Sequence, residues 1–132
     1  MTDLPIRTVW PQEGVPSATI GQDPRMIFIA VKWTIKPEYA DRWPELSREF
    51  TEACRQEPGN IFFEWSRSLE EENTYQLVEA FQDGAGEAHV NSDHFKKFVD
   101  EAPDYVAETP KIISVQGVDQ DGWGEMGEVK PR

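Results

Sequence analysis

The stretch HVNSDHF, residues 89–95, contains both histidines of the 132-residue chain, five positions apart. Imidazole titrates near neutral pH and also binds metal ions, so such a pair suits proton transfer or a metal site. On one continuous helix, residues five apart point about 140° away from each other, whereas two ligands on one face are four apart. The single cysteine, Cys54, is remote in sequence, and no third ligand has a zinc-like spacing. The spacing therefore predicts no metal site.

Two interpretations of the histidines remain open. One imidazole could bond the backbone at the start of a helix that Ser92 caps, which is a purely structural role. Alternatively, His89 is the first candidate for a general base and His94 the second. Asn60 could then donate its amide to a substrate oxygen, although an asparagine after a glycine is also typical of a turn.

Aromatic residues on the predicted strands are candidates for the walls of a substrate pocket. The candidates are Phe28, Trp33, Phe63, Trp65 and Phe81. Aromatic side chains on strands more often fill the core, which favours a structural role for Phe28 and Phe63. Trp65 fits either role.

Glu79 is a carboxylate within the apolar segment TYQLVEAF. It is either exposed near a sheet edge or buried with a raised pKa. Alternation places it on the same face as Tyr75, Leu77 and Phe81, which favours a substrate or dimer contact. Arg67 or Arg48 could pair with it.

Composition and charge exclude several partners. Acidic residues outnumber basic ones by 25 to 13, for a net charge of −12, so nucleic acid and anionic membranes would be repelled. No apolar run reaches the roughly 20 residues of a membrane span, and the first residues do not resemble a secretory signal. We therefore expect a cytoplasmic protein, with Cys54 buried as a small apolar residue.

The apolar pattern predicts the element order β, α, β, β, α, β between residues 25 and 117. MIFIAVKWTI is typical of a strand, and a stripe from Tyr39 to Cys54 indicates a helix with Asp41 as its N-cap. NIFFEWSRS and TYQLVEAF predict a hairpin with a loop of about five residues, in which Ile61 shares a face with Phe63 and Trp65.

The second half of the pattern predicts two more helices and a last strand. A short helix is expected near residues 87–91, and Ser92 or Asp93 would cap a second one that buries Phe95, Phe98 and Val99. KIISV is typical of a strand. Residues 1–24 carry four prolines and are interpreted as an extended arm, and residues 118–132 form a tail with no assigned element.

This order is typical of a ferredoxin-like α+β fold, a four-stranded antiparallel sheet with both helices on one face. Strands one to three carry large apolar residues in both alternation sets, so the helix-free face is also expected to be apolar. Such a face needs a partner or a ligand. Two sheets packed face to face in a homodimer would cover it and enclose a cavity.

The chain resembles the antibiotic biosynthesis monooxygenase (ABM) family over residues 25–117. The resemblance lies in the element order, in EPGNIFFEW and VEAF, and in HVNSDHFKKF, which runs into the last helix. Its most specific part is HxxSxHF, which here is His89, Ser92, His94 and Phe95. The resemblance implies a dimeric α+β barrel that oxidises small hydroxylated aromatic, quinol-like substrates with O2, without metal, flavin or nicotinamide.

Oxygenation without a cofactor needs a base, a donor for the substrate anion, and walls that exclude water. The candidate catalytic residues are His89, His94, Asn60 and Trp65. Haem degradation on the same fold is disfavoured, because Val99 stands where the resemblance places a haem-ligating histidine and the first strand lacks an asparagine. A dimeric ligand-binding protein without turnover is the alternative.

Overall fold

The computed structural model describes residues 25–132, so the predicted N-terminal arm lies outside the described residues. The elements follow the predicted order, but the first predicted helix is divided into three short helices. The elements are β1 (Met26–Thr34), α1 (Pro37–Ala40), α2 (Trp43–Leu46), α3 (Arg48–Arg55), β2 (Asn60–Arg67), β3 (Thr74–Gln82), α4 (Gly86–Val90), α5 (Asp93–Glu101), a 3-10 turn (Ala102–Asp104) and β4 (Lys111–Val118).

The four strands form one antiparallel sheet in the order β2-β3-β1-β4. The helices α3 and α5 pack on one face of this sheet, where they bury the aromatic side chains of β1 and β2. This arrangement is the ferredoxin-like α+β fold, and the predicted fold class is confirmed.

Prolines divide the first helical segment. Pro37 lies at the start of α1 and Pro44 at the start of α2, where a missing amide hydrogen breaks no helical bond. The predicted single helix with Asp41 as its N-cap is wrong. Asp41 instead ends α1, and its carboxylate accepts a hydrogen bond from Arg67 at 2.9 Å.

The second helical segment agrees better with the sequence pattern. Ser92 caps α5, because its hydroxyl accepts a hydrogen bond from the amide of Phe95 at 3.2 Å. Phe98 is buried as predicted, whereas Val99 is 51% exposed and its predicted burial is wrong. The hairpin loop has six residues, 68–73, and ends at Asn73 with a positive φ of 58°.

The helix-free face carries its own apolar cluster, as predicted. Its buried members are Met26, Phe62 and Ala80, and the partly buried ones are Phe28, Ile61, Val78 and Val118. Ile61 does not share a face with Phe63 and Trp65, so that prediction is wrong. The cause is a shift in the pairing of β2 with β3 between Asn60 and Phe62, which moves the side chain of Ile61 to the opposite face.

Part of the C-terminal tail returns to the helix-free face. The ring of Trp123 lies 5.3 Å from the ring of Phe62, although Trp123 is still 70% exposed. Together with the ends of β1 and β4, the tail borders an open apolar pocket of about 360 Å³. None of the helices in residues 25–132 is long and apolar enough to cross a membrane.

Candidate functional site

The carboxylate of Glu57 lies within hydrogen-bonding distance of both histidines. It lies in the turn between α3 and β2, and its Oε2 atom is 2.9 Å from Nδ1 of His89 and 2.5 Å from Nε2 of His94. His89 belongs to α4 and His94 to α5, so the break between these helices turns the two imidazoles toward one carboxylate. The separation of about 140° that one continuous helix would give to residues five apart therefore does not apply to them.

The pKa of Glu57 determines which side chains donate in its two hydrogen bonds with the histidines. Burial favours the neutral carboxyl, but hydrogen bonds from His89 and His94 and the charges of both rings outweigh it, so the pKa of Glu57 lies below its usual value. An ionised carboxylate can only accept hydrogen bonds. His89 therefore donates through Nδ1–H and His94 through Nε2–H, which leaves Nδ1 of a neutral His94 with a lone pair.

Glu79 is a second carboxylate beside the histidines. Its Oε1 atom lies 3.8 Å from Nε2 of His89, and the residue is 6% exposed. Burial, and then the negative charge of Glu57, raise the pKa of Glu79 to about 8. Of the two alternatives that the sequence left open for Glu79, an exposed carboxylate or a buried group with a raised pKa, the structure has the second. The predicted pairing with Arg67 is wrong, because Arg67 reaches Asp41.

Cys54 completes this group of side chains. It lies in the last turn of α3 and is fully buried, as predicted. Burial, and then the negative charges of Glu57 and Glu79, raise the pKa of the Cys54 thiol well above its usual value. One ligand atom each of Cys54, Glu57, His89 and His94 lies within 4.8 Å of the others.

Aromatic rings enclose the histidines on the sheet side and the helix side. The ring of Phe81 lies 4.5 Å from that of His89, and the ring of Phe95 packs edge-on against it at 5.1 Å. His89 is 2% exposed, whereas the side chain of His94 is 27% exposed. His94 is therefore the member of the pair that solvent or a ligand can reach.

His94 opens onto a groove between α3 and α5 with a volume of about 80 Å³. The rings of Phe50 and Phe98 stack at 3.9 Å in its floor. The other lining residues are Leu46, Glu49, Ala53, Lys97 and Glu101. Pockets for drug-sized ligands have volumes of roughly 300–1,000 Å³. This groove is much smaller, so it fits no more than one small ring.

Three of the predicted pocket residues, and Trp65 with them, lie on the helix-covered face. Phe63 and Phe81 are buried in the aromatic core, and the partly buried Trp33 packs against it. The indole N–H of Trp65 donates to the hydroxyl of Thr51 at 2.9 Å, which anchors β2 to α3.

Phe28 and Asn60 do not join the histidine group. Phe28 lies on the helix-free face, so it cannot form one wall with Trp33, Phe63 and Trp65. Asn60 donates its amide to the backbone carbonyls of Phe62 at 3.0 Å and Ala80 at 3.3 Å, where it holds the irregular pairing at the start of β2.

Sequence reasoning missed Glu57 as a site residue and Cys54 as its neighbour. In the sequence, Glu57 stands out only as the first residue of EPGNIFFEW. Its distance in sequence from the histidines, 32 and 37 positions, hides the contact. One signal in the sequence could have indicated them. Cys54 and Glu57 are three positions apart, a spacing at which two side chains on one helical turn can bind the same ion.

The comparisons with known proteins agree with this architecture. The sequence profile described as "Antibiotic biosynthesis monooxygenase" (ABM) matches residues 26–101. The chain belongs to the ABM family. The matched segment runs from β1 to the end of α5 and includes Cys54, Glu57, Glu79 and both histidines.

Individual relatives extend the comparison. A protein from Nitrosomonas europaea, named as a candidate antibiotic biosynthesis monooxygenase, is 26% identical with a TM-score of 0.66, over 74% of this chain and 94% of that one. A conserved protein from Methanosarcina mazei shares the fold at 23% identity and a TM-score of 0.66, over 71% and 94% of the two chains. An uncharacterised protein of Synechocystis sp. is 27% identical over 103 residues, which are 74% of this chain and 70% of that protein.

Proposed function

We propose that this ABM-family protein is a monooxygenase that oxidises a small hydroxylated aromatic, quinol-like substrate with O2 and needs no metal, flavin or nicotinamide. The observation that carries the proposal is the hydrogen-bonded set of His94, Glu57 and His89, in which His94 reaches the groove between α3 and α5. The family membership supports the reaction class.

The base in this proposal is His94 rather than His89. His89 is closed off in the core, whereas His94 lines the groove. Glu57 holds Nε2–H of His94, so that Nδ1 is available to accept a proton, and it stabilises the imidazolium that forms. Glu57 and His89 therefore act as positioning residues.

The reaction balances with O2 as the only oxidant. His94 takes the hydroxyl proton of the quinol, and the resulting anion passes one electron to O2 to give a substrate radical and superoxide. The two recombine in a C–O bond, and the imidazolium returns its proton to the peroxide. Loss of water then leaves a hydroxyquinone, so that one oxygen atom enters the ring and the other leaves as water. Lys97, at the rim of the groove, supplies a positive charge near the anion.

Oxygen uptake tests this proposal. Chelator-treated protein is mixed with single-ring hydroquinones, and with naphthols and anthrones as compounds too large for the groove, and O2 consumption and product are followed. His94→Gln should lower the rate by about 10²- to 10⁴-fold, the usual contribution of a general base. Asp100→Asn, an exposed change on the same helix and outside the groove, is the matched control and should keep the wild-type rate. Equal rates in His94→Gln and wild type would refute the assignment of the base.

A ligand-binding role without turnover is the second candidate. It is favoured by the pocket of about 360 Å³ on the helix-free face, whose volume lies in the range of small-molecule sites. The lining residues are Met26, Phe28, Phe62, Val115, Val118, Gln120, Gly122, Trp123 and Gly124, and no side chain among them titrates. Saturable quenching of tryptophan fluorescence by a naphthol, without O2 uptake, would support this role over the first.

We also propose that a second copy of the chain covers the helix-free face. Ile113 and Val115 of β4 are 67% and 47% exposed beside the apolar cluster of β1 and β2. Because the histidines lie on the other side of the sheet, the cavity of such a homodimer would not contain them. The proposed chemistry therefore takes place within each subunit. The cytoplasmic location stays a prediction.

A further inference from the structure

The only cysteine and the only two histidines of the 132-residue chain meet at Glu57. Cys54 comes from the last turn of α3, Glu57 from the turn that follows, His89 from α4 and His94 from α5. Thiolate, imidazole and carboxylate are the protein ligands that zinc takes. Side chains of these types that converge from three helices and a turn form a set of metal donors.

We propose that Cys54, Glu57, His89 and His94 bind one divalent transition-metal ion, and that Zn²⁺ is the ion that this donor set fits. The ligand atoms already lie within 4.8 Å of one another, so small side-chain movements suffice to place all four around one ion. Four donors complete a tetrahedral zinc site. The thiol releases its proton to solvent when the ion binds, as structural zinc sites require.

Charge balance supports this assignment. The thiolate of Cys54 and the carboxylate of Glu57 supply two negative charges, and two neutral imidazoles complete the set. A 2+ ion therefore gives a neutral site, which is the condition for burying an ion among apolar groups. Metal ions with weaker affinity for sulfur and nitrogen, such as Mg²⁺ and Ca²⁺, do not match these donors.

Glu79 provides an independent observation. Its Oε1 atom is buried, has no hydrogen-bond partner among residues 25–132, and lies 3.8 Å from Nε2 of His89. His89 meets Glu57 through its other nitrogen, Nδ1. A carboxyl group behind a metal-binding imidazole occupies the usual outer-shell position, from which a hydrogen bond to the ring orients it and strengthens the ligand.

Metal binding and the proposed catalysis exclude each other. The ion would occupy Nε2 of His94 and the Oε2 atom of Glu57, the atoms that prepare His94 as a base. Four protein ligands also leave no open position for substrate. On the proposed function, Zn²⁺ is thus an inhibitor that stabilises the fold. The binding itself does not depend on that function.

Cobalt titration tests the site directly. Chelator-treated full-length protein is titrated with Co²⁺, which takes the place of Zn²⁺ and is visible in absorption spectra. The expected result is one equivalent per chain, with the strong visible bands of tetrahedral cobalt and a near-ultraviolet thiolate-to-cobalt band. Because the chain has one cysteine, that band can come only from Cys54. Added Zn²⁺ should displace the cobalt and abolish both sets of bands.

Variants distinguish a residue that would bind the ion from the outer-shell residue Glu79. Cys54→Ser, which is close in volume, should lose the near-ultraviolet band and bind more weakly. Glu79→Gln should keep the band and lower the affinity by about 10- to 100-fold, as loss of an outer-shell partner does. Glu52→Gln changes an exposed carboxylate on α3 that lies outside the groove, and it should match wild type.

Two results would overturn the proposal. One is folded wild-type protein that takes up no Co²⁺, or binds it with the pale spectrum of octahedral cobalt on surface carboxylates. The other is a Cys54→Ser variant with the wild-type spectrum. Both are read independently of O2 uptake. Metal binding by a protein whose metal-free form shows no turnover contradicts only the proposed function, and turnover by a protein that binds no metal contradicts only this inference.

Discussion

At the scale of single residues, Glu79 shows how burial converts a carboxylate into a pH-dependent element of stability. Its pKa of about 8 means that the folded protein keeps this proton where the unfolded chain, with a carboxyl pKa near 4.5, has released it. The unfolded state therefore binds fewer protons between about pH 4.5 and 8. Stability from this group is fully present below that window and is lost as the pH rises through it.

Replacing Glu79 tests that linkage. In metal-free buffer, the free energy of unfolding of wild type should fall between pH 5 and 8 by up to about 1.4 kcal/mol per pH unit from this group. Glu79→Gln cannot ionise, so it should gain stability relative to wild type as the pH rises. Urea denaturation at four pH values measures this, with Glu49→Gln as the exposed control. Parallel curves for wild type and Glu79→Gln would contradict the raised pKa.

At the scale of elements, one glycine brings the Glu57 turn against α4. A Cβ atom on Gly59 would lie 2.3 Å from Cβ of Ala85, the residue before α4. Such a distance forces the two segments apart. The close approach is what allows Glu57, two residues before Gly59, to reach His89 at 2.9 Å.

Gly59→Ala should therefore destabilise the fold by about 1–3 kcal/mol through overpacking. Gly127→Ala is the matched control, because nothing lies within 4 Å of the added carbon there. Urea denaturation of both variants checks the difference. A Gly59→Ala variant as stable as Gly127→Ala would mean that the turn and α4 are not packed as described.

The N-cap of α5, Ser92, also holds two elements together. The hydroxyl of Ser92 accepts a hydrogen bond from the amide of Phe95 and donates one to the carbonyl of His89 at 2.7 Å, so it joins α4 to α5. Ser92→Ala should cost about 1 kcal/mol, the usual contribution of an N-cap. Thermal or urea unfolding measures it against Ser66→Ala, an exposed serine on β2. Equal stabilities would show that the cap contributes nothing.

At the scale of the whole molecule, the two faces of the sheet have separate tasks. The helix-covered face holds the Glu57 group, and the helix-free face presents exposed apolar residues for the proposed second copy. A charge placed on that face should disrupt pairing without reaching the core or the histidines.

Ile113→Asp tests the pairing. Ile113 is 67% exposed in the single chain, so the substitution should leave the fold intact and weaken the dimer by about 2 kcal/mol or more, roughly 30-fold, by burying a charge in an apolar interface. Sedimentation velocity over a concentration series measures it. Leu69→Asp changes an apolar residue in the hairpin loop that is 101% exposed, and this variant should behave as wild type. A monomeric wild type would contradict the proposal.

The element order, the fold class, the apolar helix-free face and a cap at Ser92 or Asp93 follow from the amino-acid sequence, because alternation, helical periodicity and capping depend on neighbours within a few residues. It left open which face a residue takes where pairing is irregular, as with Ile61. Only the tertiary structure brought Glu57 and Cys54 to the histidines. That contact depends on how three helices dock on one sheet, and periodicity indicates that a side chain is buried without indicating what it meets there.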